Sequence, residues 1–422
     1  MRLSVNNFRV LRDETIDFAP ITILYGRNGA GKSSLIYALL TLREIITNPA
    51  QSLDALFNYG FINLGSFANV VSDHASGSQM TFVLSLTPKD LGRDSPHAEA
   101  LQDYSSASLA VILTENAELT LLLVLIDRSD HALASLTVRT TLPYSLGQIE
   151  TASGTFPGVG PVSIEWNGVT AKVATEVPNV DMLRLTELQT FINFPSTVLA
   201  HVRAVPLRRG FTRPQYSLTP MSPNPRTEDE IATLIANDRY LQGRISSYLE
   251  RIIGRDFRVD TTPGSPFFSL DTLQRESGLL TEVVNEGYGL NQLVDLLALS
   301  LTTQNAVVSV EEPEIHLHPT AVRRLSLAFL EIARTQKKVF LISTHSEAMI
   351  VALLAAVAQG NAAPDDIAIY YVNDSGGTRF ERQSIDSSGQ LRGGLRSFME
   401  AEMEDVTAFL SPRKGELEAG LS

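Results

Sequence analysis

The chain has 422 residues, 44% of them hydrophobic and 19% charged, so it is long enough for two or three globular domains or one large elaborated one. Its 34 basic and 47 acidic side chains leave a net charge of −13, which excludes a protein that coats nucleic acid with its whole surface and leaves only a local patch for that work. With no cysteine, disulfide frameworks, Cys-ligated zinc, iron–sulfur clusters and thiol nucleophiles are excluded as well.

The amino terminus, MRLSVNNFRV, has no signal-peptide stretch. The apolar runs Leu119–Ile126 and Met349–Val357 fall well short of the roughly 20 residues that a spanning helix needs. Asp295, Gln304 and Asn305 interrupt the longer run from Leu293 to Val310. A soluble, cytoplasmic protein without a membrane partner is expected.

In chain order, Leu3 to Phe18 alternates as a strand pair. Ile21–Gly26 reads as a buried strand that opens into RNGAGKSS and then a helical stretch, SLIYALLTLREII. From about Thr81 to Val177 the runs TFVLSLT, LAVILTE, LTLLLVLID, SLTVRTT and VSIEWNG predict an antiparallel sheet, with loops over Asp90–Ser108 and Thr151–Pro161. Val180–Ile253 turns helical, and Asp256–Leu280 returns to strand alternation. Helix and strand then alternate: Leu290–Thr302, Ala306–Val310, Thr320–Thr335, Lys338–Ser343, Glu347–Gln359 and Ile367–Val372. That is a parallel α/β signature whose missing partner is the amino-terminal strand–loop–helix unit. The expected division is a split head of residues 1–80 and 281–375, an antiparallel β region of 81–180, a helical and mixed insertion of 181–280, and a tail of 376–422.

Gly26-Arg27-Asn28-Gly29-Ala30-Gly31-Lys32-Ser33 fits GxxxxGK[ST] completely, followed by Ser34. Glycines there let successive backbone N–H groups of Arg27 to Ser34 turn inward around phosphate oxygens, helped by the helix start. Lys32 is expected to reach the β- and γ-phosphates and the Ser33 hydroxyl to ligate Mg²⁺. A chance glycine-rich turn is the bland alternative, which the strand before and the helix after oppose. The apolar strand VVSVEEPE ends in paired carboxylates: Glu311 is placed to hold Mg²⁺ and Glu312 to act as general base on the attacking water. Without the phosphate loop, the same pair would read as an ordinary charged strand end. LISTHSE, one helix and one strand later, puts His345 where it can touch the γ-phosphate and that water. His316 and His318 could chelate a metal but have no third ligand, and fit a loop that a partner touches.

These pieces, in this order, resemble the ABC-type AAA-family ATPases related to RecF, OLD and SMC proteins, over roughly residues 1–80 and 281–375. AVPLRRGFTRPQY (Ala204–Tyr216) looks like a segment of the standalone members, and EEPEIHLHP is the most specific match. The resemblance implies a phosphate-loop α/β head that binds ATP and Mg²⁺, hydrolyses ATP, and closes as an ATP-dependent homodimer. In the family each loop faces a signature motif of the opposite head. NEGYGLNQL supplies Asn285, Gly287 and Gly289 for that part, although Asn285 stands where the transporter-type motif has serine. FINLGSF occupies the loop that normally brings a Mg²⁺-contacting glutamine, and Asn63 is the amide available there.

Arg203, Arg208, Arg209, Arg213 and Arg226 fall between His201 and Arg226 with no acid among them. The first four are nucleic-acid candidates, since arginine suits DNA or RNA phosphates, and they could equally face an acidic protein partner or pair within the acidic fold; the sequence leaves the three open. The tail has no DxD pair, so a built-in nuclease is not expected. The resemblance thus implies a switch in DNA repair or in defence against phage or plasmids, acting with a separate effector such as a nuclease. A transporter ATPase and a non-hydrolysing nucleotide-gated scaffold are the other readings.

Overall fold

The computed structural model describes residues 1–75, 77–87, 90, 104–127, 132–145, 147–156, 159–175, 182–221, 225–261, 266–275, 277–302, 307–373 and 377–395. The amino-terminal hairpin, β1 (Arg2–Phe8) and β2 (Leu11–Asp17), pairs Leu3 with Ile16 and turns Leu3, Val5 and Phe8 inward. β3 (Ile21–Gly26) is buried along its whole length, as a six-residue β-branched and apolar run requires. α1 (Lys32–Thr47) follows directly, then the short α2 (Phe67–Val70). β4 (Gln79–Leu86), β5 (Tyr104–Thr114), β6 (Glu118–Asp127) and β7 (Ala132–Thr141) form a meander that continues the first hairpin, in the order β2-β1-β4-β5-β6-β7. β8 (Glu150–Phe156), β9 (Gly160–Trp166) and β10 (Ala171–Ala174) make a small second sheet.

Next come α3 (Met182–Ala200), β11 (Val202–Val205), β12 (Tyr216–Ser217), α4 (Glu228–Asn237) and α5 (Arg239–Ile253). β13 (Asp256–Thr261), β14 (Phe267–Gln274) and β15 (Leu279–Glu282) join β12 in a third sheet. The α/β alternation then runs α6 (Tyr288–Leu301), β16 (Val307–Glu311), α7 (Pro319–Thr335), β17 (Val339–Thr344), α8 (Glu347–Ala358), β18 (Ile367–Asn373) and β19 (Arg379–Gln383). The central sheet has the order β11-β16-β17-β3-β18-β19, parallel except for the last pair. Its pleat splits the core. Leu24, Leu341 and Tyr370 pack toward α1 and the antiparallel sheet, whereas Ile23, Tyr25, Phe340 and Ile342 pack under α4–α8.

The fold is thus mixed α/β, but parts of two expected loops are strands, and 157–158 lie outside the described residues. Thr151–Pro161 falls mostly on β8 and the start of β9, whose serine and glycine residues carry no apolar alternation to read. Of Asp90–Ser108, residues 104–108 begin β5, and 91–103 lie outside the described residues. The central sheet also draws on residues outside 1–80 and 281–375. β11, from within the expected insertion, pairs along β16, and β19 closes the other edge. Four residues, VRAV, are too few for a period to show. The rest of the tail, 396–422, lies outside the described residues.

Candidate functional site

β3, β16 and β17 all end at the carboxyl edge of the central sheet, where α1 begins. Gly31, at φ +109°, makes the turn into α1. A Cβ there would lie 2.8 Å from Thr378 Cγ2 and 2.9 Å from Val10 Cγ2, so only glycine fits. The turn leaves Arg27, Asn28 and Gly29 exposed on a rim, with Ala30, Gly31, Lys32 and Ser34 buried beneath. Thr378 Oγ1 donates to the Ala30 carbonyl at 3.0 Å and ties the loop to the strand behind it. Lys32 Nζ donates to the Gly26 and Arg27 carbonyls, both at 2.8 Å. Burial pulls the lysine's pKa down, against the pull of the Glu312 and Glu314 carboxylates.

Glu311, the last residue of β16, is buried and is gripped from α1. Ser33 Oγ donates to its Oε2 at 2.7 Å, and the Tyr37 hydroxyl donates to Oε1 at 3.1 Å. Burial raises the Glu311 pKa, and the Ser33 and Tyr37 hydrogen bonds hold it back. Ser33 and Tyr37 are four apart on one helix face, a spacing visible in the sequence, although nothing there marks Tyr37 as more than an apolar position of α1. The Arg9 guanidinium lies 5.3 Å from the centroid of the Tyr37 ring.

Glu312 adopts φ +42°, rare for a residue with a side chain, and its N–H donates to the Ser343 carbonyl at 2.9 Å. Its Oε1 lies 3.7 Å from His345 Nε2, both side chains about one-third exposed, at 33% and 32%. Burial, then the nearby Lys32 charge, lowers the His345 pKa, which favours a neutral imidazole at pH 7. Glu314 fixes the backbone there, its Oε1 accepting from Thr344 Oγ1 and from the His345 N–H, both at 2.7 Å.

The arginines separate. Arg209 turns inward: Nη1 donates to the Pro206 carbonyl at 2.9 Å and to the Glu311 carbonyl at 2.8 Å, and Nη2 to the Glu312 carbonyl at 2.9 Å. Arg203 is buried on β11 against the Ala200 carbonyl. Arg213 is exposed but pairs with Asp229 and lies over the Tyr216 ring. Arg208 is exposed. Of the three readings, a continuous four-arginine surface does not form, because the β11 turn sends Arg203 and Arg209 into the fold.

Asn285, Gly287 and Gly289 sit at the start of α6. Asn285 donates to Glu282 Oε2 at 3.1 Å, and Gly287 precedes the first turn. A Cβ on Gly289 would fall 2.3 Å from the His316 carbonyl oxygen, so this helix start rests on the loop after Glu312. Tyr288 beside it is 75% exposed, with its ring 5.7 Å from that of His316. Among the described residues, no hydrogen bond joins these three to the phosphate loop. Asn63 is exposed and its Oδ1 accepts from the Gly65 N–H, closing its own turn. His318 caps α7, its Nδ1 accepting from the Thr320 N–H at 3.3 Å. Among the described residues no group of three or more His, Asp or Glu could hold a metal; Ser33 and Glu311 bring a hydroxyl and a carboxylate together at the loop.

Residues 2–42 match a family model described as "AAA domain", and residues 208–351 match one described as "AAA domain, putative AbiEii toxin, Type IV TA system". The chain resembles the ABC-type AAA ATPases. The two AAA segments carry the glycine-rich loop 26–33 and the acidic strand end, respectively, with β4–β10 between them. No curated protein matches the chain. Similar solved structures include the SmcHead bound to the C-winged helix domain of ScpA, with 13% identity, TM-score 0.47, 91% of this chain and 97% of that one. Another is the SMC head domain from Thermotoga maritima, with 10% identity, TM-score 0.36, and coverage of 90% and 97%. The Smc head domain with an extended coiled coil bound to the C-terminal domain of ScpA, from Pyrococcus furiosus, aligns at 12% identity and TM-score 0.45, over 97% and 99%. No helix among the described residues is long and apolar enough to cross a membrane.

Proposed function

We propose that the chain hydrolyses ATP with Mg²⁺ and uses the nucleotide cycle as a switch. The observation that carries this reading is the Ser33–Glu311 contact at 2.7 Å beneath a complete phosphate loop. A hydroxyl and a carboxylate are hard oxygen donors, the kind Mg²⁺ takes alongside phosphate and water. Mg²⁺ bound there would neutralise charge on the β- and γ-phosphates.

The chain's own groups do the rest. The backbone N–H groups of Arg27 to Ser34 and the Lys32 ammonium bind the phosphates, and Lys32 exchanges its carbonyl partners for phosphate oxygens. Glu312 accepts a proton from the water that attacks the γ-phosphorus as the bond to ADP breaks. His345, neutral and 3.7 Å from Glu312, orients that water and meets the γ-phosphate. Arg209 holds the two carbonyls that aim Glu311 and Glu312.

The exposed start of α6 supports pairing with a second copy. Gly287 has no side-chain cap, and among the described residues the Tyr288 and Gly289 N–H groups make no hydrogen bond, so they can meet a phosphate held in trans, which makes ATP the glue of a homodimer. The AbiEii-type description of residues 208–351 favours a defence role over repair, with a separate effector reading the closed state. A DNA contact has less support, since Arg203 and Arg209 are internal.

Light scattering on Glu312→Gln protein with ATP and Mg²⁺ tests the switch. A doubled mass with ATP and a single mass with ADP are expected. An unchanged mass at saturating ATP would remove the dimer. Phosphate release with and without duplex DNA tests the remaining link, and stimulation by DNA would return it to a DNA-responsive machine.

A further inference from the structure

α6 is an apolar helix with two buried side chains that carry polar groups deep in it, Asn291 and Asp295, set among Leu293, Val294, Leu296 and Leu297. They stand four apart, on one face of the helix. A buried amide or carboxylate among leucines is costly unless it is hydrogen-bonded, so their partners show what they hold. Both reach the turn that follows β11. Asn291 Oδ1 accepts from the Phe211 N–H at 2.6 Å, and its Nδ2 donates to the Phe211 carbonyl at 2.8 Å. Asp295 Oδ2 accepts from the Gly210 N–H at 2.8 Å. Three hydrogen bonds thus fasten two consecutive residues of the turn to α6.

The fit leaves little slack. Gly210 has φ +111°, and a Cβ on it would fall 2.7 Å from Asn291 Oδ1, so the turn is glycine where it meets the amide. The Phe211 ring is buried, with its centroid 5.9 Å from that of Tyr216 in an edge-on arrangement. The residue before this clamped pair is Arg209, whose fork holds the Glu311 and Glu312 carbonyls. Burial works against the Arg209 charge, and Asp295, ahead of Glu314, Glu312 and Glu311, works for it. A planar fork meets two carbonyls at once only when its own backbone is fixed, and Asn291 and Asp295 fix it one and two residues away.

We infer that Asn291 is a positioning residue for Glu312: by holding Phe211 and Gly210 against α6, it sets the Arg209 fork that aims the general base. The inference rests on the reading of Glu312 as that base. The Asn291 amide is engaged by Phe211, so it acts on the reaction only through the turn.

Asn291→Leu is close in size and removes both the donor and the acceptor. Steady-state phosphate release is expected to show kcat lowered about tenfold, with KM for ATP within about threefold, because the phosphate loop is untouched. Gly210→Ala presses on the same amide from the turn and should lower kcat in the same way. A cooperative thermal melt shows that either variant is folded. The cycle with Arg209→Lys separates positioning from a general loss of structure. If Asn291 acts through Arg209, adding Asn291→Leu to Arg209→Lys lowers kcat by less than about twofold more, whereas independent effects multiply. Wild-type kcat in folded Asn291→Leu protein, or losses that multiply, would overturn the proposal. Hydrogen–deuterium exchange of nucleotide-free protein reads the clamp without turnover: the segment 307–314 should exchange at least about threefold faster in Asn291→Leu than in wild type. Unchanged exchange there would overturn the proposal by itself. Turnover by Glu312→Gln protein would instead remove the general-base reading, and the exchange would still judge the clamp.

Discussion

Replacing Arg209 by methionine removes three hydrogen bonds from one guanidinium, two of them to the consecutive carbonyls of Glu311 and Glu312. A hydrogen bond with a charged partner contributes about 1.5–3 kcal/mol net, so the gross loss is about 5–9 kcal/mol. Removing a largely buried charge returns several kcal/mol of desolvation, which leaves a net destabilisation of about 2–4 kcal/mol. Lysine in its place could reach one carbonyl but not both, because a single ammonium lacks the planar fork. Glu312 sits at φ +42°, a strained conformation held by its neighbours, and loosening its carbonyl lets it relax. Misplacing a general base costs roughly 10²-fold in rate. Arg209→Lys is therefore expected to lower kcat by one to two orders of magnitude. KM for ATP should stay within about threefold, since Lys32 and the loop amides are untouched. Thermal melting and steady-state phosphate release measure the two halves. Wild-type kcat in Arg209→Lys, or lost stability with kcat unchanged, would refute the positioning role.

Two further outcomes concern stability and association. Lys338 is 1% exposed, donates to the Ser300 carbonyl, and is pushed by burial, then by Arg244 and Arg203, from 10.5 down to about 7. Between those values the unfolded lysine keeps a proton that the folded one has lost, so stability rises with pH through the window, by about 2–4 kcal/mol. Lys338→Met should be more stable than wild type at pH 7 and should lose that rise, which denaturant melts at pH 7 and pH 10 would check. Gly289→Ala drives a Cβ to 2.3 Å from the His316 carbonyl oxygen, so the α6 start or the loop must move, at about 1–3 kcal/mol. ATP-dependent dimerisation should weaken more than ATP binding, and an unperturbed dimer would remove this helix start from the interface.

Much of this fold is written in local patterns. Ile21–Gly26 is a continuous apolar run because β3 is covered on both faces, and Gly31 is glycine because nothing larger clears Thr378 and Val10. The alternation from Tyr288 to Asn373 is legible for the same reason: each helix covers strands that are buried throughout. What was not legible is set by long-range closure. Arg203 and Arg209 look like surface charge in the sequence, because their partners are backbone carbonyls, which carry no side-chain signature. β11 is four residues long and joins the central sheet only by pairing with β16, about a hundred positions later. Tyr37 reads as one more apolar position of α1 until Glu311 is found against its hydroxyl. At Thr151–Phe156 the small residues that suggest a loop are strand residues with little to bury.

The central claim is that Glu312 activates the water that attacks bound ATP. Phosphate release from ATP and Mg²⁺ by Glu312→Gln protein, measured beside ATP affinity, tests it most directly. Glutamine keeps the shape but cannot take a proton, so ATP should bind as in the wild type while kcat falls by about 10²-fold or more. Turnover within about threefold of wild type at unchanged affinity would contradict the assignment and take the general base away from this strand end.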